Sequence, residues 1–101
     1  MTIRELYTII KERQSGNDEA SYTKSLFDDG LDRIIQKVGE ESVEVVIAAK
    51  NDSKDEFINE AADLVYHLLV LLVEKDITID DIEQKLQQRH SEKLNSQEEI
   101  E

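Results

Sequence analysis

Asp55–Lys75 reads DEFINEAADLVYHLLVLLVEK and decides the fold. At about 100° per residue, Phe57, Ile58, Ala61, Ala62, Leu64, Val65, Leu68, Leu69, Leu71, Leu72 and Val73 cover well over half of a helix circumference. Only Glu60, Asp63, His67 and Glu74 form a polar stripe along it. A helix this apolar belongs in the centre of a bundle or between subunits, not on a monomer surface. Glu60 and Asp63 are then at least partly enclosed, and an enclosed carboxylate needs a cation or hydrogen-bond donors.

Upstream lies LDRIIQKVGEESVEVVIAAK, Leu31–Lys50, a second long helix closed by Asn51-Asp52-Ser53. Its apolar arc is expected to hold Ile34, Ile35, Val38, Ser42, Val45, Val46 and Ala49, with Lys37, Glu40, Glu41 and Glu44 in the neighbouring arc and Glu41 at the edge. Gly39 in mid-helix costs up to about 1 kcal/mol against Ala, which points to close backbone packing there. Ser53 with Glu56, and Thr2 with Glu5, are capping-box pairs that open helices running to about Lys75 and Gln14. Ser15-Gly16-Asn17-Asp18 is loop by composition, and Ser21–Asp28 reads as either a short helix or an extended loop. Thr78 with Asp80-Asp81 starts a last helix, Ile79 to about Lys93.

The balance is helical: no proline, three glycines and few aromatics in 101 residues, against many Leu, Ile, Val, Glu, Lys and Gln. A sandwich or barrel needs more turn signals. The expectation is an all-α bundle of antiparallel hairpins over residues 1–95, with 96–101 a flexible acidic tail. Twelve Lys and Arg against twenty-four Asp and Glu give a net charge of −12, which disfavours nucleic acid and anionic membrane partners. The absence of cysteine excludes disulfides, thiolate nucleophiles and zinc–thiolate sites. The N-terminus carries charge too early for a signal peptide, and the apolar run Leu64–Val73 is too short to span a bilayer. A cytoplasmic protein is the expectation.

The two long helices form a hairpin, so the pair Glu41/Glu44 can face the pair Glu60/Asp63. Four carboxylates without cysteine suit Mg²⁺ or Mn²⁺ rather than Zn²⁺, and facing helices in bundles build such sites. The competing reading is that these are ordinary solvent-facing acids, since an E-x-x-E or E-x-x-D pair is easily met by chance among so many. His67 and Tyr66 read as packed, hydrogen-bonded residues, and His90, Glu74 and Glu98-Glu99 as surface.

Lys37-Val-Gly-Glu-Glu-Ser-Val-Glu44, then Glu60-Ala-Ala-Asp-Leu-Val-Tyr-His67, with Ser21-Tyr22-Thr23 ahead of both, closely resembles the phosphoribosyl-ATP pyrophosphatases of the all-α MazG-type nucleotide pyrophosphatase superfamily. The resemblance covers about Ile3 to Leu86. It implies a helical bundle completed by homodimerisation and a small nucleotide as substrate. The implied reaction is Mg²⁺-dependent hydrolysis of phosphoribosyl-ATP to phosphoribosyl-AMP and pyrophosphate, the second step of histidine biosynthesis. It also implies Glu41, Glu44, Glu60 and Asp63 as metal ligands, Glu40 as an outer ligand or water-orienting base, Lys37 as a phosphate contact, and Ser21, Tyr22 and Thr23 as substrate-binding residues. Two rivals remain: a housecleaning nucleoside triphosphate pyrophosphatase of the same superfamily, and a non-catalytic acidic helical adaptor.

Overall fold

The computed structural model describes the backbone of residues 1–100 and the side chains of residues 1–95. The acidic tail expected over 96–101 lies outside the described side chains. Five helices follow one another: α1 (Ile3–Ser15), α2 (Tyr22–Asp29), α3 (Leu31–Lys50), α4 (Lys54–Glu74) and α5 (Ile79–Ile100). No strand occurs among the described residues.

The helix starts follow local chemistry. Thr2, Ser21 and Ser53 each accept a bond from the backbone N–H three residues on, at 3.1–3.2 Å. The return arm at Ser53 is missing because Glu56 accepts from Asn51 instead. At α5 the box is reciprocal: Asp81 N–H donates to the Thr78 hydroxyl at 3.1 Å, and Thr78 N–H to the Asp81 carboxylate at 2.9 Å. Ser21–Asp28, open between helix and loop in the sequence, is helical. Its Ser21 cap starts α2, and Gly30 ends it at φ 98°, a conformation that suits only glycine. The same Gly30 begins α3, so α2 and α3 meet at a single residue.

α3 and α4 pair along their length as an antiparallel hairpin; α1 packs on α4, and α2 on α1 and α3. The core gathers Ile10 from α1, Leu26 from α2, Ile34 from α3, and Leu69, Val70 and Val73 from α4. Each contributes about 1.5–3 kcal/mol by leaving water. α5 joins this body at its first turn: Arg4 pairs with Asp80 at 2.8 Å and with Glu83, and the Tyr7 hydroxyl donates to the Ile77 carbonyl at 2.8 Å. The remainder projects, so the radius of gyration is 16.8 Å against about 13 Å for a compact 100-residue domain.

Two expectations about α3 are corrected. Its buried face is Ile34, Val38, Glu41, Val45 and Ala48, with Val38 and Val45 half-buried. Glu41 is therefore within the covered stripe, while Ile35, Val46 and Ala49, expected inside, are exposed. Gly39 is not a close approach: apart from its own stretch of helix, nothing lies within 4 Å of where its Cβ would stand. The periodicity located an apolar arc but not which part this chain covers. Val43, Val46 and Ile47 of α3 and Ile58, Val65 and Leu68 of α4 remain open to solvent, Val46 at 63%.

A candidate metal centre at the α3–α4 hairpin

Glu41 stands on the covered face of α3, opposite Glu60 and Asp63 on α4. Each of the three offers a carboxylate oxygen within 4.8 Å of the other two. Glu41 is only 6% exposed, and its Oε2, like the buried Oε2 of Glu60, has no hydrogen-bond partner among the described residues. Two such oxygens on carboxylates that approach within 4.8 Å are costly, since each has lost its water and the two groups repel one another. A hard divalent cation resolves both costs. Oxygens sharing one Mg²⁺ at about 2.1 Å lie about 3–4 Å apart, so small side-chain rotations suffice. The donor set, all oxygen with no thiolate, fits Mg²⁺ or Mn²⁺.

Glu44 is one turn further along α3, exposed, and outside this group of three. Glu40 is exposed and held by two neighbours: Gln36 Nε2 donates to its Oε1 at 2.9 Å, and Lys37 Nζ stands 3.5 Å from its Oε2. Lys37 Nζ also lies 3.3 Å from Glu41 Oε1. Partial burial works against the Lys37 charge, but the hydrogen bond to Glu41 and the nearby Tyr22, Glu41 and Glu40 outweigh it, raising the ammonium above its ordinary 10.5. It thus stays cationic beside the acids, an available partner for phosphate.

The Ser21-Tyr22-Thr23 turn lies at the Lys37 end of the hairpin, and its three side chains part company. Ser21 is buried as the cap of α2 and accepts from Arg13 at 3.4 Å. Thr23 is buried and its hydroxyl bonds that of Tyr66. Burial, aided by Tyr22 and opposed by Arg13, raises the Tyr66 hydroxyl above 10.0. Of the three, Tyr22 alone is open, 49% exposed, its hydroxyl 2.9 Å from His67 Nε2. His67 is 6% exposed, and its Nδ1 sits 2.7 Å from the Asp63 carbonyl. Tyr66 and His67 are thus packed and hydrogen-bonded, as their places on the apolar helix imply. The Tyr22–His67 link itself was not anticipated. Its one local signal is that His67 follows Asp63 by one helical turn.

The family model described as phosphoribosyl-ATP pyrophosphohydrolase matches residues 3–90. The chain is 58% identical over 87 residues to a phosphoribosyl-ATP pyrophosphatase of Listeria innocua, covering 86% of this chain and 84% of that one. It is 47% identical over 97 residues to the phosphoribosyl-ATP pyrophosphatase of Clostridium acetobutylicum, with 96% and 88% covered. It is 56% identical over 88 residues to the histidine biosynthesis bifunctional protein HisIE of Caldanaerobacter subterraneus, covering 87% of this chain but 43% of that longer protein.

Proposed function

The chain belongs to the phosphoribosyl-ATP pyrophosphohydrolase family, and from that premise we propose that it hydrolyses phosphoribosyl-ATP to phosphoribosyl-AMP and pyrophosphate in histidine biosynthesis. The observation that carries the reading to this chain's own residues is the pair of orphaned oxygens on Glu41 and Glu60, clustered with Asp63. Glu41, Glu60 and Asp63 would hold Mg²⁺, with Mn²⁺ as a substitute, and Glu44, one turn along α3, would be the fourth ligand. When bound, the ion neutralises triphosphate charge and stabilises the pyrophosphate leaving group.

The chain's own residues do the rest. Lys37 binds a phosphate oxygen that a surface of net charge −12 would otherwise repel. Glu40, steadied by Gln36 and Lys37, orients the attacking water and takes its proton. The water oxygen attacks the α-phosphorus while the bond to the β-phosphate bridging oxygen breaks. Ser21 and Thr23 act by fixing the turn that presents Tyr22.

A second copy of the chain covers the apolar outer face of the hairpin, giving a homodimer. No described helix is long and apolar enough to cross a membrane, and a role in histidine biosynthesis supports a cytoplasmic location. The test is pyrophosphate release from phosphoribosyl-ATP against a panel of nucleoside triphosphates, each with and without Mg²⁺. Preference for phosphoribosyl-ATP and dependence on the ion are expected. Preference for a nucleoside triphosphate would favour the housecleaning reading, and inertness throughout would favour the adaptor.

A further inference from the structure

His67 spends both ring nitrogens on a purpose that packing does not explain. The Asp63 carbonyl can only accept, so Nδ1 carries the proton of the neutral ring and Nε2 is left as an acceptor. The group facing Nε2 is the Tyr22 hydroxyl, which must then donate to it. With its one hydrogen committed to α4, the phenolic oxygen has only lone pairs to offer in any other direction.

Docking of α2 does not require this bond. Thr23 to Tyr66, Ser21 to Arg13 and the buried Leu26 already hold the helix. A tyrosine serving stability alone would also bury its ring, yet Tyr22 stays half-exposed, stacked at 6.4 Å on Tyr66 and edge-on to His67 at 5.8 Å. Its position is informative too. His67 follows the candidate ligand Asp63 by one turn, Lys37 precedes Glu41 by one turn, and α2, which carries Tyr22, packs on α3, which carries Lys37. The Lys37 end of the acid cluster thus presents the ammonium as a donor and, on the neighbouring helix, an uncharged acceptor in the phenolic oxygen.

Resting on the functional reading above, we propose that His67 is a positioning residue that fixes the polarity of Tyr22, so that the phenolic oxygen accepts a hydrogen bond from the nucleoside portion of the substrate. A phosphate oxygen, having no hydrogen to give, is directed to Lys37 and the metal. The shared chemistry of the Tyr22 partner is an O–H or N–H donor, from a ribose hydroxyl or from the base.

Steady-state kinetics on phosphoribosyl-ATP, and on analogues lacking a ribose hydroxyl or the base N–H donor, test this in wild type, Tyr22→Phe, His67→Leu, His67→Gln and the double variant Tyr22→Phe/His67→Leu. Tyr22→Phe keeps the ring and is expected to raise KM about tenfold with kcat within about twofold, the scale of one lost hydrogen bond. His67→Leu should reproduce that KM, the double variant should be no worse than either single change, and His67→Gln, whose Oε1 can accept from Tyr22, should recover most of it. The analogue lacking the true partner should be indifferent to Tyr22→Phe. An unchanged KM for Tyr22→Phe on all three substrates, or an undiminished effect of His67→Leu in the Tyr22→Phe background, would overturn the proposal. If His67→Leu does not fold, Tyr22→Phe on the three substrates decides. Wild-type inactivity on phosphoribosyl-ATP would instead overturn the functional reading.

Discussion

The two faces of the α3–α4 hairpin are inverted relative to ordinary packing. The inner face, where apolar contact is the rule, holds Glu41, Glu60 and Asp63, with two oxygens unsatisfied. The outer face, where charge is the rule, displays Val43, Val46, Ile47, Ile58, Val65 and Leu68. Each departure costs stability in an isolated chain, and the proposed function would relieve both: a cation between the inner acids and a second copy on the outer face. An unusual residue in a small fold is better understood as half of an interaction than as a defect.

The comparison breaks first at the inner face. Glu41→Gln should lower kcat on the order of 10³-fold, about 4 kcal/mol of transition-state stabilisation, while circular dichroism shows helicity unchanged. Turnover near wild type would mean that the inner acids are not the metal cradle. Next comes the outer face. Val46→Glu sits where the folded chain already meets solvent, so it should leave the helices intact and shift light-scattering mass from dimer to monomer at micromolar concentration. A wild type that is already monomeric would remove the partner from the comparison.

A smaller, sign-changing effect sharpens the contrast. Without divalent ions, Glu60→Gln relieves like-charge crowding and should raise stability by about 1 kcal/mol. With Mg²⁺ at about 100 times its Kd the wild type gains about 2.7 kcal/mol, so the order of melting temperatures should reverse. Parallel melting with and without Mg²⁺ would argue against ion binding. The smallest effect is remote from both faces: Thr78→Ala should cost about 1 kcal/mol through its lost cap, leaving kcat and mass unchanged. The raised Lys37 pKa adds no slope near neutrality. Its stabilising pair is complete below pH 10.5 and is lost only as pH climbs through the higher folded value.

Much of this was legible in the residues. Helix starts at Thr2, Ser53 and Thr78 are local chemistry, and a side-chain hydroxyl three residues before an amide settles them. The clustering of Glu41, Glu60 and Asp63 follows from acid pairs on two helices joined by a three-residue turn. The rotation of α3 was less accessible, because Val38 and Val45 belong both to the expected apolar arc and to the covered face, and a periodicity cannot tell which flank of an arc the chain itself buries. α2 escaped definition because it is short and owes its form to Ser21 and Gly30 rather than to an apolar repeat. The Tyr22–His67 contact joins residues 45 apart in sequence, and no spacing rule reaches that far.

The bond from Tyr7 to the Ile77 carbonyl links positions 70 apart, with consequences for the order in which the chain assembles. The α3–α4 hairpin closes a short loop and can form early, whereas fastening α1 to the start of α5 requires nearly the whole polypeptide to be gathered first. Tyr7 is therefore a late clasp. Weakening it should accelerate unfolding far more than it slows folding, a kinetic signature separable from anything that happens at the acids.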